Sequence, residues 1–117
     1  MGGAVAYHGG FAAEEQVASR YLAAGKTIAA RRWRGKSGEI DLIVRDGAAV
    51  VFVEVKRSET FARAAEHLTR RQMARIWSAA SEFLAGEPGG QDTEVRFDVA
   101  LVDGRGQIDI IENALDF

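Results

Sequence analysis

Glu39, Asp41, Glu54 and Lys56 stand inside two short apolar runs, GEIDLIV and VVFVEVK. Runs this rich in β-branched and aliphatic residues read as strands over 39–45 and 50–57, joined at Asp46-Gly47-Ala48-Ala49. Side chains alternate along a strand, so Glu39, Asp41, Ile43 and Arg45 share one face, as do Val50, Phe52, Glu54 and Lys56. Gly47 supplies the positive φ of a tight hairpin turn. With Gly47 and Ala48 central in the turn, Asp41 lies opposite Glu54 and Glu39 opposite Lys56. With Asp46 and Gly47 central, Glu39 faces Glu54 instead. The slip between the two registers is even, so all four ionisable groups share a face in both.

Such a constellation has a specific chemistry. A carboxylate buried without a partner costs several kcal/mol even after relaxation, and two carboxylates opposed across a hairpin repel each other. A divalent cation relieves both, and two carboxylates completed by waters suit Mg²⁺. Lys56, facing the same way, could compensate charge, orient an attacking water or stabilise a phosphoryl transition state. The alternative is a structural ion pair of Lys56 with Glu39 or Glu54 and no metal.

The elements that would position this face follow from periodicity. A helix is expected from Phe11 to Ala24, ended by Gly25, with an apolar stripe of Phe11, Val17, Ala18, Tyr21 and Leu22. At 100° per residue Glu14 falls about 20° from the stripe's centre and Glu15 about 80° away. Glu14 is therefore the acid that needs a partner, unless both are first-turn acids favoured by the helix dipole. A short strand is expected around Thr27–Trp33. The run VVFVEV is almost continuously apolar, as in a strand covered on both faces. Thr69 and Gln72 have the spacing of a capping box that opens a second helix, whose buried stripe would be Met73, Ile76, Trp77, Ala80, Phe83 and Leu84. The GEPGGQD segment holds the only proline and reads as a loop. Strands over 94–102 and 107–111 close the chain. Residues 1–10 read as a loose segment and 11–117 as one mixed α/β domain, order αβββαββ, a central sheet flanked by helices.

Composition narrows the function classes. At 117 residues the chain can build one real core without staples. With no cysteine, disulfides, thiolate zinc sites and a cysteine nucleophile are excluded. No run approaches the roughly 18 apolar residues of a membrane span, and the start lacks a basic leader pattern, so a cytoplasmic location is the expectation. Net charge is −2, but residues 1–75 carry 13 Lys/Arg against 8 Asp/Glu, and residues 76–117 carry 2 against 9. That asymmetry could present a basic face to a polyanion, or be ordinary solvated charge. Arg31, Arg32, Arg34 and Lys36 surround Trp33 just before the acidic strand. They could neutralise phosphates while Trp33 stacks on a base, or form an exposed loop with Trp33 in the core. Arg70, Arg71 and Arg75 would extend this patch or solvate the second helix. Gln72 reads as a cap rather than a ligand. Asp98 alternates away from Val95, Phe97, Val99 and Leu101, so it is expected to face solvent or to pair with Arg96.

The segments GFAAEEQVASRYL, RRWRGKSGEIDLIVRDG, VVFVEVKRS, RRQMARI and RFDVALV resemble the YraN-like family of small bacterial proteins, over about Gly10 to Asn113. That family in turn resembles the PD-(D/E)XK nuclease superfamily, which includes restriction enzymes and archaeal Holliday-junction resolvases. The resemblance implies a restriction-endonuclease-like fold and a Mg²⁺- or Mn²⁺-dependent nuclease acting on DNA, on branched or damaged substrates, or else a nuclease-like domain that binds nucleic acid or a protein without cutting. It implies Asp41, Glu54, Lys56 and Glu14 as catalytic residues, with Asp41, Glu54 and Val55 as the metal set. Ile40 stands where many members of the superfamily have proline. The stretch from Gly10 to Tyr21 is offset by a residue from many relatives, which leaves Glu14 and Glu15 both open on that comparison. Cutting two strands with so small a domain would call for a homodimer.

Overall fold

The computed structural model describes residues 2–114, with side chains from residue 12 onward. Its elements run α1 (Gly2–Ala23), β1 (Thr27–Arg34), β2 (Glu39–Asp46), β3 (Ala49–Arg57), α2 (Phe61–Glu66), α3 (Arg70–Leu84), β4 (Val95–Val102) and β5 (Ile108–Ile111). The strands form one mixed sheet in the order β1-β2-β3-β4-β5, in which only the β3–β4 pair is parallel. A parallel pair needs a long crossover, and α2 with α3 provide it.

α1 begins at Gly2, within the segment expected to be loose. It ends where Gly25 takes φ +87°, with the Gly25 and Lys26 N–H groups donating to the carbonyls of Leu22 and Tyr21. This is the glycine-terminated helix end that the sequence implied. Ala13, Val17, Ala18 and Tyr21 are buried on one sheet face with Leu42, Val44, Val51 and Val53. Leu22, expected in that stripe, is 49% exposed: it lies one residue past Tyr21, and the narrow contact with the sheet leaves it outside. The side chain of Phe11 lies outside the described residues.

Helix α3 covers the opposite face. Thr69 is its N-cap and its hydroxyl accepts from the Gln72 N–H. Ile76, Ala79, Ala80 and Leu84 are buried against Ile43, Val50, Phe52, Phe97 and Val99. Trp77, expected in the stripe, is 45% exposed and lies tilted over Phe97 at the stripe's edge. With helices on both faces, Val50, Val51, Phe52 and Val53 are all buried, which explains the unbroken apolar run. Each such side chain contributes about 1.5–3 kcal/mol on burial. The short α2, capped by Thr60, was not foreseen: six residues are too few to display a helical period. Among the described residues no helix is long and apolar enough to cross a membrane.

Candidate active site

The β2–β3 turn pairs Asp46 with Ala49, leaving Gly47 (φ +60°) and Ala48 as its centre. Of the two registers the sequence allows, this is the one that aligns Asp41 with Glu54. The ladder itself, however, stops at Leu42 opposite Val53. Beyond that point β3 pairs only with β4, up to Arg57 and Val102, while β2 stays with β1 as far as Arg34 opposite Glu39. The sheet splits there. Asp41 replaces the lost ladder bond with its side chain: Oδ2 accepts from the Val55 N–H at 2.8 Å.

The split opens a polar cavity of about 400 Å³, lined by Glu14, Arg32, Gly38, Glu39, Asp41, Glu54, Val55, Lys56, Gln72, Arg75 and Ile76. Residues of α1 and α3, helices on opposite sheet faces, meet in it. Glu54 is 5% exposed. Its Oε2 accepts from Gln72 Nε2 at 2.9 Å and lies 3.3 Å from Lys56 Nζ, but among the described residues no donor reaches its buried Oε1. Burial foremost, then the negative Asp41 carboxylate, push the Glu54 carboxyl up to about 8, against the pull of Lys56. A proton held there lets the two carboxyls hydrogen-bond; without one they face each other unscreened.

Glu14 enters the cavity from α1, with Oε1 accepting from Arg32 Nε at 2.7 Å. Its carboxyl is raised by desolvation, which Arg32 partly offsets and Asp41 reinforces. Glu15 points elsewhere and binds Arg31 Nε at 2.9 Å. Arg32 has φ +49°, a left-handed conformation that is uncommon for a side chain of this size, at the point in β1 alongside the split.

The basic run divides. Arg31 and Arg32 pair with α1 acids, and Arg34 with Glu39 at 3.1 Å. Lys36 has an exposed side chain, and its backbone N–H, with that of Ser37, donates to Glu82 of α3. Trp33 packs into the core, edge-on to Phe83, so it is not available to stack on a base. Gln72 both caps and reaches the site: its backbone serves the cap while its amide holds Glu54. Only its position on the inward side of α3's first turn hinted at the second role. Asp98 is 0% exposed, which corrects the solvent-facing alternative; it pairs with Arg96 as the other alternative had it.

The donor set suits a hard divalent cation. Two carboxylates converge, one with a buried oxygen lacking any donor, in a polar cavity with room for several waters. Glu14 is held by Arg32, and among the described residues no three Asp, Glu, His or Cys side chains form a ready-made cluster. Waters would therefore complete the shell, as Mg²⁺ prefers.

The pattern of UPF0102, described as an uncharacterised protein family, matches residues 13–102. The chain belongs to the UPF0102 family. A UPF0102 protein of Cereibacter sphaeroides strain ATCC 17025 is 64% identical over 114 residues, 97% of each chain. One from Ruegeria pomeroyi is 61% identical over 105 residues, 90% of this chain and 85% of its own. One from Roseobacter denitrificans is 50% identical over 113 residues, 97% of this chain and 88% of its own. The family match spans every residue that lines the cavity, from Glu14 to Ile76.

Proposed function

We propose that this UPF0102 protein is a divalent-cation-dependent nuclease of restriction-endonuclease-like architecture that hydrolyses DNA phosphodiester bonds. The observation that carries the reading is Glu54 Oε1, buried without a donor beside Asp41 in a cavity rimmed by cations. A purely structural role gives no reason to desolvate a carboxylate oxygen and leave it without a donor. A site that must receive Mg²⁺ does.

In this reading Asp41 and Glu54 hold the ion, with Val55 between Glu54 and Lys56 in the ligand set and Glu14 completing the site from α1. An ion held there would supply polarisation of the phosphoryl oxygen and acidification of a water. Lys56 orients that water toward phosphorus and stabilises the charge that develops. Water oxygen forms the new P–O bond, the ester P–O bond breaks, and the departing oxygen takes a proton from solvent. Cleavage of a panel of labelled linear, nicked and branched DNAs with Mg²⁺ or Mn²⁺ tests this. Products should form with the wild type and not with Asp41→Ala.

One observation favours a second reading, a nuclease-like domain that binds without cutting. Glu14 and Glu54 Oε2 already have protein partners in Arg32, Lys56 and Gln72. If the cluster is purely structural, Lys56→Ala strands a buried carboxylate and costs about 3–5 kcal/mol. A melting temperature indifferent to millimolar Mg²⁺, together with a collapse of Lys56→Ala alone, would decide for that reading.

A further inference from the structure

The sequence directs attention to Arg31, Arg32, Arg34 and Lys36 as the polyanion-binding patch, yet three of these four are ion-paired. Lys36, Arg71 and Arg75 are different. All three are exposed, and none forms an ion pair among the described residues.

Position brings them together. At 100° per residue Arg71, Arg75 and Glu82 project from α3 within about 40° of one another. Along that flank lies the β1–β2 loop, its Lys36 and Ser37 N–H groups bonded to Glu82 at 2.8 and 2.9 Å. The approach is close: a Cβ on Gly35 would lie 2.7 Å from Glu82 Oε2, and one on Gly38 would lie 3.7 Å from Arg75 Cβ. Arg75 and Gly38 line the main cavity. Gly38 and Glu39 also line a second depression of about 330 Å³ formed by Arg34 to Glu39, so the two adjoin. Of the acids on this rim, Glu39 is paired with Arg34, while Glu82, bonded to neutral loop N–H groups, keeps its charge and offsets one of the three cations. An excess of unpaired positive charge therefore borders the cavity on its α3 side.

We infer that the flank formed by Lys36, Arg71 and Arg75 is a phosphodiester-backbone contact surface that leads a nucleic-acid strand across the mouth of the cavity. The inference rests on the nuclease-like reading for what lies at the end of the track, but the surface stands on charge and position alone. Arg71 and Arg75 are spaced about 6 Å apart along the helix, four residues at 1.5 Å rise, so both can face one strand. Nucleic acid is favoured over an anionic membrane because the flank offers no apolar anchor. Its exposed neighbours are Ser37, Ser78 and the small Ala74, and Trp77 projects about 160° away from Arg75 around α3.

The test is fluorescence anisotropy of a fluorescein-labelled oligonucleotide, single-stranded and duplex, in EDTA across a salt series. Binding is thereby separated from cleavage. Arg71→Gln/Arg75→Gln is compared with the charge-matched Arg20→Gln/Arg105→Gln, with melts confirming that both remain folded. The Arg71/Arg75 variant should flatten the dependence of log affinity on log salt by about 1.8 on duplex or about 1.4 on single strand. Adding Lys36→Gln should flatten it further, and the control pair should leave it unchanged. Equal slopes for the two double variants, no binding by the wild type, or equally tight Arg71/Arg75-dependent binding to phosphatidylserine vesicles would each overturn the inference. Intact binding with no cleavage under any divalent cation would leave the surface standing and defeat the nuclease reading.

Discussion

Among the described residues two acids are buried, Asp98 and Glu54, and they are treated in opposite ways. Asp98 lies under α1, and each of its oxygens has two donors. Oδ1 accepts from Arg96 Nε at 2.9 Å and the Asn113 N–H at 3.0 Å; Oδ2 accepts from Arg96 Nη2 at 3.0 Å and Tyr21 Oη at 2.7 Å. The network ties together α1, β4 and the segment after β5. The same network, with burial as the larger cause, raises the Tyr21 phenol far above its ordinary range and keeps it a donor. Glu54, in the next register position on β3, has one oxygen satisfied and the other bare, beside a second carboxylate. A buried acid that serves the fold is surrounded by donors. One left half-satisfied in an open cavity is a place for something else to bind.

The largest expected effect is on the first of the pair. Asp98→Ala removes the acceptor for Arg96, Tyr21 and the Asn113 N–H at once, and should cost about 3–5 kcal/mol by denaturant unfolding. Glu54→Gln, nearly as buried, should cost little or even stabilise the metal-free protein at neutral pH, since a neutral amide spares the fold the proton that Glu54 takes up beside Asp41. Similar losses for both variants would erase the distinction.

The next effect is ligand-linked. Millimolar Mg²⁺ should raise the wild-type melting temperature, by the equivalent of about 2.7 kcal/mol at a hundredfold excess over Kd. Asp41→Asn and Glu54→Gln should lose that shift while Asp98→Asn retains it. An Asp98→Asn protein that no longer responds would mean that the two acids are coupled rather than separate devices.

The smallest effect concerns pH. The Glu54 carboxyl ordinarily titrates near 4.5 and is pushed up to about 8 in the fold. The native state therefore keeps a proton that the unfolded chain releases, and its contribution to stability is present in full below about pH 4.5 and lost as pH rises toward 8. Melts without metal should fall across that window, with a shallower fall in Glu54→Gln. Mg²⁺ affinity should rise over the same interval, because binding displaces the proton. A wild-type profile parallel to that of Glu54→Gln would show that Glu54 is not the group responsible.

How much of this was legible beforehand depends on the range of the interaction concerned. Period-two alternation alone assigns Asp41, Glu54 and Lys56 to one face, in either hairpin register, and helical phase turns Glu14 rather than Glu15 toward the cavity. Gly25 and Thr69 mark helix ends through bonds that span only a few residues. These features depend on the chain's immediate neighbours, so the amino-acid order determines them. The choice of register, the parting of β2 from β3 beyond Leu42 and Val53, and the amide of Gln72 on Glu54 required the sheet and helices to assemble. So did the neutralisation of Arg31 and Arg32 by α1, the exposure of Trp77, and the burial of Asp98 by a tyrosine 77 residues away in the chain. Alternation places Asp98 on the face opposite Phe97. Only packing decides whether that face meets water or a helix, because burial is set by the layers that close over a strand and not by the strand itself.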